Sequence, residues 1–119
     1  MPRPVDIRLH RTSRMMEVTF DDGARFKMPC EYLRVYSPSA EVRGHGPGQE
    51  VLQVGKENVN ITAIEPVGNY AVKLYFDDGH NTGIYSWNWL YTLGAQQETK
   101  WREYLDSLAK AGYQRTTQA

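Results

Sequence analysis

Four side chains in this sequence could act as soft or borderline metal donors: Cys30, His10, His45 and His80. A structural zinc or an iron–sulfur centre needs several thiolates or imidazoles, because thiolate is the strong soft ligand. One sulfur and three scattered imidazoles draw no Cys-x-x-Cys, no His-x-x-x-His and no facial triad. No metal or other cofactor is therefore expected in one copy of the chain. Nucleophilic chemistry fares no better. Cys30 is followed by Glu31, whose carboxylate works against thiolate formation, so an inert, partly buried thiol is expected. Ser86 lies in no Gly-x-Ser-x-Gly setting and is better placed to cap a helix. Asp21, Asp22, Asp77 and Asp78 read as exposed turn-formers whose carboxylates titrate normally.

Two runs keep a binding role open. Arg43-Gly44-His45-Gly46-Pro47-Gly48 exposes backbone N–H groups that can cradle an anion, although it matches neither the P-loop nor the dinucleotide fingerprint. It reads first as a flexible loop with no ligand, and it is the best local candidate for a contact surface. In Asp78-Gly79-His80 the imidazole follows a turn glycine. Either it projects from a hairpin, free to bind, or it is a surface histidine bonded to a carbonyl.

The elements that carry these residues follow from periodicity. Val5, Ile7 and Leu9 alternate with polar neighbours, as do Met16, Val18 and Phe20, and Phe26 and Met28 continue past Asp21-Asp22-Gly23. Period 2 with a Gly-bearing turn predicts an antiparallel meander. Pro29 ends it, and Cys30 to Val35 suits a short helix. Ser37-Pro38 reads as an N-cap followed by proline at the first helical position, opening a turn of helix through Val42. The plan then recurs. Ile61 to Pro66 and Tyr70 to Phe76 read as strands, Asp77-Asp78-Gly79 as a turn, and Thr82 to Tyr85 as a strand. Ser86 then caps a helix ended by Gly94.

Phe20-Asp21-Asp22-Gly23 and Phe76-Asp77-Asp78-Gly79 are identical, and Leu33 and Leu90 follow at nearly the same offset. This predicts two similar ββα units, unless the shared tetrapeptide is only a common hairpin turn. Trp101, Tyr104, Leu105 and Leu108 form one face of a C-terminal helix laid on the sheet, ended by Gly112 and followed by a frayed tail, 113–119. The fold class is α+β: antiparallel hairpins and meanders with a C-terminal helix.

Length and composition fit a single domain over 1–119, with 40% hydrophobic and 12% aromatic residues. Fourteen basic and fourteen acidic residues cancel. The absence of a basic excess argues against nucleic-acid binding, and no ~20-residue apolar run suggests a membrane span. With no apolar run after Met1-Pro2-Arg3-Pro4, the cytoplasm is the expected compartment.

Leu33-Arg34, Tyr36-Ser37-Pro38-Ser39, Gly44-His45-Gly46-Pro47-Gly48, and Asp78-Gly79-His80 through Trp87 and Leu90 together resemble the gamma-butyrobetaine hydroxylase-like N-terminal domain family, a group of bacterial proteins. The resemblance spans nearly the whole chain. In oxygenases carrying a similar domain, it implies a zinc site of Cys-Pro-Cys-x-x-Cys plus the histidine after Asp-Gly. Those positions fall on Ser37, Ser39, Val42 and His80, and only His80 is kept. Neutral hydroxyls and a valine do not replace thiolates. The iron-bearing catalytic domain of those oxygenases has no counterpart here, so no enzyme is expected. A similar domain also accompanies P-loop ATPases linked to iron–sulfur cluster assembly, which implies an accessory role by association alone.

Two readings result. The first is a non-catalytic adaptor that docks a protein partner through Arg34, Arg43, His45, His80 and Tyr85, as an accessory in iron–sulfur cluster handling. The second is a metal- or small-ligand-binding module centred on His80.

Overall fold

The computed structural model describes residues 2–44 and 48–116. His45 therefore lies outside the described residues. Six strands and four helices run in the order β1 (Pro4–His10), β2 (Met15–Phe20), β3 (Arg25–Pro29), α1 (Cys30–Val35), α2 (Ala40–Arg43), β4 (Ile61–Val67), β5 (Ala71–Phe76), β6 (Ile84–Ser86), α3 (Trp87–Ala95) and α4 (Gln97–Lys110). The strands form two separate antiparallel sheets, β1-β2-β3 and β4-β5-β6. The architecture is α+β, with α4 as the C-terminal helix. No helix among the described residues is long and apolar enough to cross a membrane.

The duplicated tetrapeptide marks a duplicated structure. Pro4 pairs with Phe20 and Ile61 with Phe76, and in both ladders the register slips by one residue immediately afterwards. The amide of Asp21 reaches Arg3 O at 2.8 Å, and that of Asp77 reaches Asn60 O at 2.9 Å. Gly23 and Gly79 both adopt φ 89°. That left-handed value suits glycine, which has no Cβ to clash. Each unit contains a third strand, so the repeat is βββα. Its halves differ after the turn: β3 begins at Arg25, whereas residues 80–83 leave the ladder before β6.

The core lies between the sheets and helices. Met16, Val18, Phe20 and Met28 from the first sheet meet Ile61, Leu74 and Phe76 from the second, with Leu33, Leu90 and Leu93 from the helices. Cys30 is fully buried in this cluster, and burial first of all raises its thiol pKa. The thiol is thus fully rather than partly buried, and desolvation, not the Glu31 carboxylate, is the leading cause of the shift. The helix predicted from Ser37 starts two residues later: Ser39 caps it by accepting from the Glu41 amide. Gly94 does not end α3 but lies within it, where the Phe26 ring presses on its Cα. On α4, Tyr104 and Leu108 are buried while Leu105 stays 36% exposed. The tail is anchored as far as Thr116, whose amide donates to Glu57.

A Cβ at Gly94 would lie 2.3 Å from Cγ of Phe26 and 2.9 Å from its Cβ, the rigid base of the ring. Alanine is the better helix former by about 1 kcal/mol, whereas overpacking costs about 1–3 kcal/mol. Gly94→Ala should therefore be destabilised by up to about 2 kcal/mol net. A urea midpoint equal to or above that of the parent chain would show that the clash relaxes.

Candidate functional site

The second Asp-Asp-Gly turn, the off-ladder residues behind it, α1 and the start of α2 converge on one polar cluster. Asp78 sits at its centre. Oδ2 of Asp78 accepts from Arg34 Nε at 2.9 Å and from Lys56 Nζ at 2.7 Å, while Oδ1 accepts from the His80 amide at 3.1 Å. The Arg34 side chain is 9% exposed and that of Asp78 23%. Partial burial raises the Asp78 pKa, but the Lys56 ammonium, the His80 amide and Arg34 outweigh it and hold the carboxyl at about 2. The expectation of normal titration fails here because this turn is packed against α1.

The first turn makes the equivalent contact. Asp22 accepts from the Ala24 amide at 2.9 Å and from the Tyr91 hydroxyl at 2.7 Å. The Tyr91 bond, followed by that of Ala24, lowers its pKa. With Leu33 aligned on Leu90, Arg34 corresponds to Tyr91. Each unit's turn aspartate thus grips the helix of the other unit.

His80 is buried at 4% exposure, so it is neither a projecting nor a surface histidine. Its Nδ1 lies 3.0 Å from Glu41 Oε2 and its Nε2 2.8 Å from Ser37 Oγ. With Nδ1–H donating to the carboxylate, Nε2 accepts the Ser37 proton, and Ser37 Oγ accepts in turn from the Ser39 amide at 3.3 Å. Ser39 Oγ pairs with Thr82 Oγ1 at 2.6 Å. Desolvation and the nearby Arg34 charge lower the imidazole pKa, against the opposing pull of Glu41 and Asp78. Gly83 packs so closely on Ser37 that a Cβ there would fall 2.4 Å from Oγ.

Glu41, His80 and Ser37 have the connectivity of a hydrolytic relay. Ser37 is fully buried, however, so no substrate carbonyl can reach its oxygen in this conformation. Metal chemistry does not fit either. Both His80 nitrogens are engaged, its neighbours are neutral hydroxyls, and among the described residues no group of three or more His, Cys, Asp or Glu could hold an ion. The cluster crosslinks the two units. One of its donors, Arg34 Nη1, is buried with no hydrogen-bond partner among the described residues.

Of the residues expected to form one exposed surface, Arg34, His80 and Tyr85 are buried. The Tyr85 hydroxyl donates to Leu33 O at 2.6 Å, and burial raises its pKa. Among the four of them that are described, Arg43 alone is exposed, and it faces a different feature. Its guanidinium lies 5.3 Å from the centre of the Trp89 ring, and Lys100 lies 5.4 Å from the same ring and 5.3 Å from that of Tyr36. Neither cation has a carboxylate partner within 4 Å among the described residues. Beside them runs a groove of about 460 Å³, lined by Val35, Tyr36, Val42, Arg43, Leu52 and Tyr104 among others. On its loop wall Val51 and Leu52 are 54% and 37% exposed.

A family model described as gamma-butyrobetaine hydroxylase-like, N-terminal, matches residues 7–91. Three solved structures are similar. One protein with an NMR solution structure is 53% identical, with 100% of this chain and 89% of that one covered and a TM-score of 0.85. A second NMR solution structure is 44% identical, covering 100% and 94%, at 0.84. A crystal structure from Acidithiobacillus ferrooxidans, of a protein with unknown function in the DUF971 family, is 42% identical over 78% of this chain and 93% of that one, at 0.66. No curated protein matches.

Removing the Asp78 charge leaves Arg34 buried beside no carboxylate, which costs about 3 kcal/mol. Asp78→Asn should lose about that much stability at pH 7. The Asp78 pKa of about 2 lies below its ordinary 3.8, so its contribution is complete above 3.8 and is lost as pH falls through that value toward 2. Urea midpoints of the parent chain should fall over that window, and those of Asp78→Asn should fall less. Equal slopes would remove Asp78 from the acid response.

Proposed function

The chain belongs to the gamma-butyrobetaine hydroxylase-like, N-terminal family, and from that premise we propose that it is a non-catalytic adaptor that docks a protein partner. The observation that carries this reading is the groove beside α4. Val51 and Leu52 present apolar surface next to Arg43 and Lys100, two cations stacked on aromatic rings without carboxylate partners among the described residues. Apolar anchors beside aromatic residues and arginine are the residue types that concentrate binding energy at protein interfaces. The occupant that matches is a protein segment carrying an apolar side chain for the groove and an acidic one for the Arg43–Lys100 pair.

This moves the docking surface away from His80. The buried cluster becomes the frame that holds α1 and α2, and the groove residues Val35, Val42 and Arg43 stand on those two helices. A place beside iron–sulfur cluster proteins rests on the company that similar domains keep. In that setting the chain would supply a contact surface rather than cluster ligands.

A photo-crosslinking amino acid at position 52, introduced into the full chain in its source cells, tests the surface against the same probe at Lys27 on the first sheet. One dominant adduct should form from position 52, be absent from position 27, and fall at least tenfold with Arg43→Glu. Identical adducts from both positions, or an adduct indifferent to Arg43→Glu, would refute the groove as the docking face.

A further inference from the structure

Helix α1 carries a carboxylate, Glu31, that is only 6% exposed. A buried charge needs both a counter-charge and hydrogen bonds, and these come from a residue 84 positions away. Arg115 Nε donates to Glu31 Oε2 at 3.0 Å, and its Nη2 donates to Oε1, a two-pronged pairing. The same guanidinium lies 5.2 Å from the centre of the Trp101 ring. Carboxylate fork and aromatic face together suit a planar guanidinium and not a compact ammonium.

The segment that delivers Arg115 is neither helix nor strand. It leaves α4 through Gly112 at φ 76° and is held by two contacts with Glu57. The Tyr113 hydroxyl lies 3.0 and 2.9 Å from the two Glu57 oxygens, and the Thr116 amide donates to Oε2 at 2.8 Å. Beside this seat is a cavity of about 200 Å³ walled by Ser13, Arg14, Glu31, Glu57 and Asn58 among others. Arg14 Nε, at this cavity, is buried and has no hydrogen-bond partner among the described residues. Arg14 is also the one non-glycine among the described residues with positive φ, 55°.

We propose that Glu31, Trp101 and Glu57 form an arginine-recognition site for an arginine-bearing segment of a partner protein, which the chain's own Arg115 fills until it is displaced. The incoming guanidinium takes the place of that of Arg115 on Glu31 and Trp101. A backbone carbonyl of the same segment satisfies Arg14 Nε across the cavity. The site is separate from the groove beside Arg43 and does not depend on it.

The test uses the full chain carrying Arg115→Ala, which empties the seat, and the peptide acetyl-Tyr-Gln-Arg-Thr-amide, which repeats the chain's own segment. Acetyl-Tyr-Gln-Lys-Thr-amide is the control. The Trp101 indole N–H, followed by NMR, should shift saturably with the arginine peptide. Binding should be at least tenfold weaker for the lysine peptide, at least tenfold weaker to the parent chain, and lost in Glu31→Gln/Arg115→Ala. A folded Arg115→Ala chain that ignores the arginine peptide overturns the proposal, as does equal response to both peptides or binding that survives Glu31→Gln. If Arg115→Ala does not fold, Tyr113→Phe loosens the segment and keeps Arg115. It should then bind the arginine peptide more tightly than the parent chain does, and no gain would equally overturn the site.

Discussion

Among the described residues the two sheets share no ladder, so something other than backbone pairing must set one against the other. The apolar core drives them together, but hydrophobic contact is non-directional and leaves orientation open. The direction comes from charge-assisted bonds at the hairpin tips. Asp78 takes Arg34 from α1 and Lys56 from the connecting segment, and Asp22 takes Tyr91 from α3. Both aspartates also accept the amide two residues on, so a turn and a crossing helix are fixed by one carboxylate. The rest of the polar cluster is built on this placement. With α1 fixed by Arg34, the chain beyond it brings Ser37 and Glu41 within reach of His80.

Much of this was legible in the sequence. Alternation located the strands, and the repeated Phe-Asp-Asp-Gly marked a duplication whose two copies share even their register slip. The inward turn of His80 is also legible there. The repeat aligns His80 with Ala24, and Ala24 lies in phase with Phe26 and Met28, which pack into the core. A polar residue at a core-phase position calls for partners, and here they are Ser37 and Glu41. What could not be read was their identity, because they sit 43 and 39 residues away and come from a different unit. The same limit hid the anchoring of the tail. Gln114 to Thr116 is polar and unpatterned, and only the tertiary placement of Glu31 and Glu57 shows why it is ordered.

The interior and the surface therefore have different tasks. Inside, imidazole, hydroxyls and carboxylates satisfy one another and lock the units together. Outside, two regions combine charge with aromatic rings: the Arg43–Trp89–Lys100 stack, and the Glu31–Trp101 seat. The residue types that drew attention in the sequence belong mostly to the first group. Trp101, which reads as part of the apolar face of α4, belongs to the second, as does Trp89.

Four tyrosines complete the frame in a particular way. Tyr32, Tyr36, Tyr85 and Tyr104 each donate at 2.6 Å to a main-chain carbonyl distant in the chain: Leu93, Lys100, Leu33 and Gln53. A carbonyl is common to every amino acid, so the accepting positions are free to drift in sequence as far as these bonds are concerned. The tyrosines are not, because phenylalanine would keep the ring and strand the carbonyl. Tolerance to substitution at each bonded pair is thus uneven, limited at the phenol and not at the residue it touches.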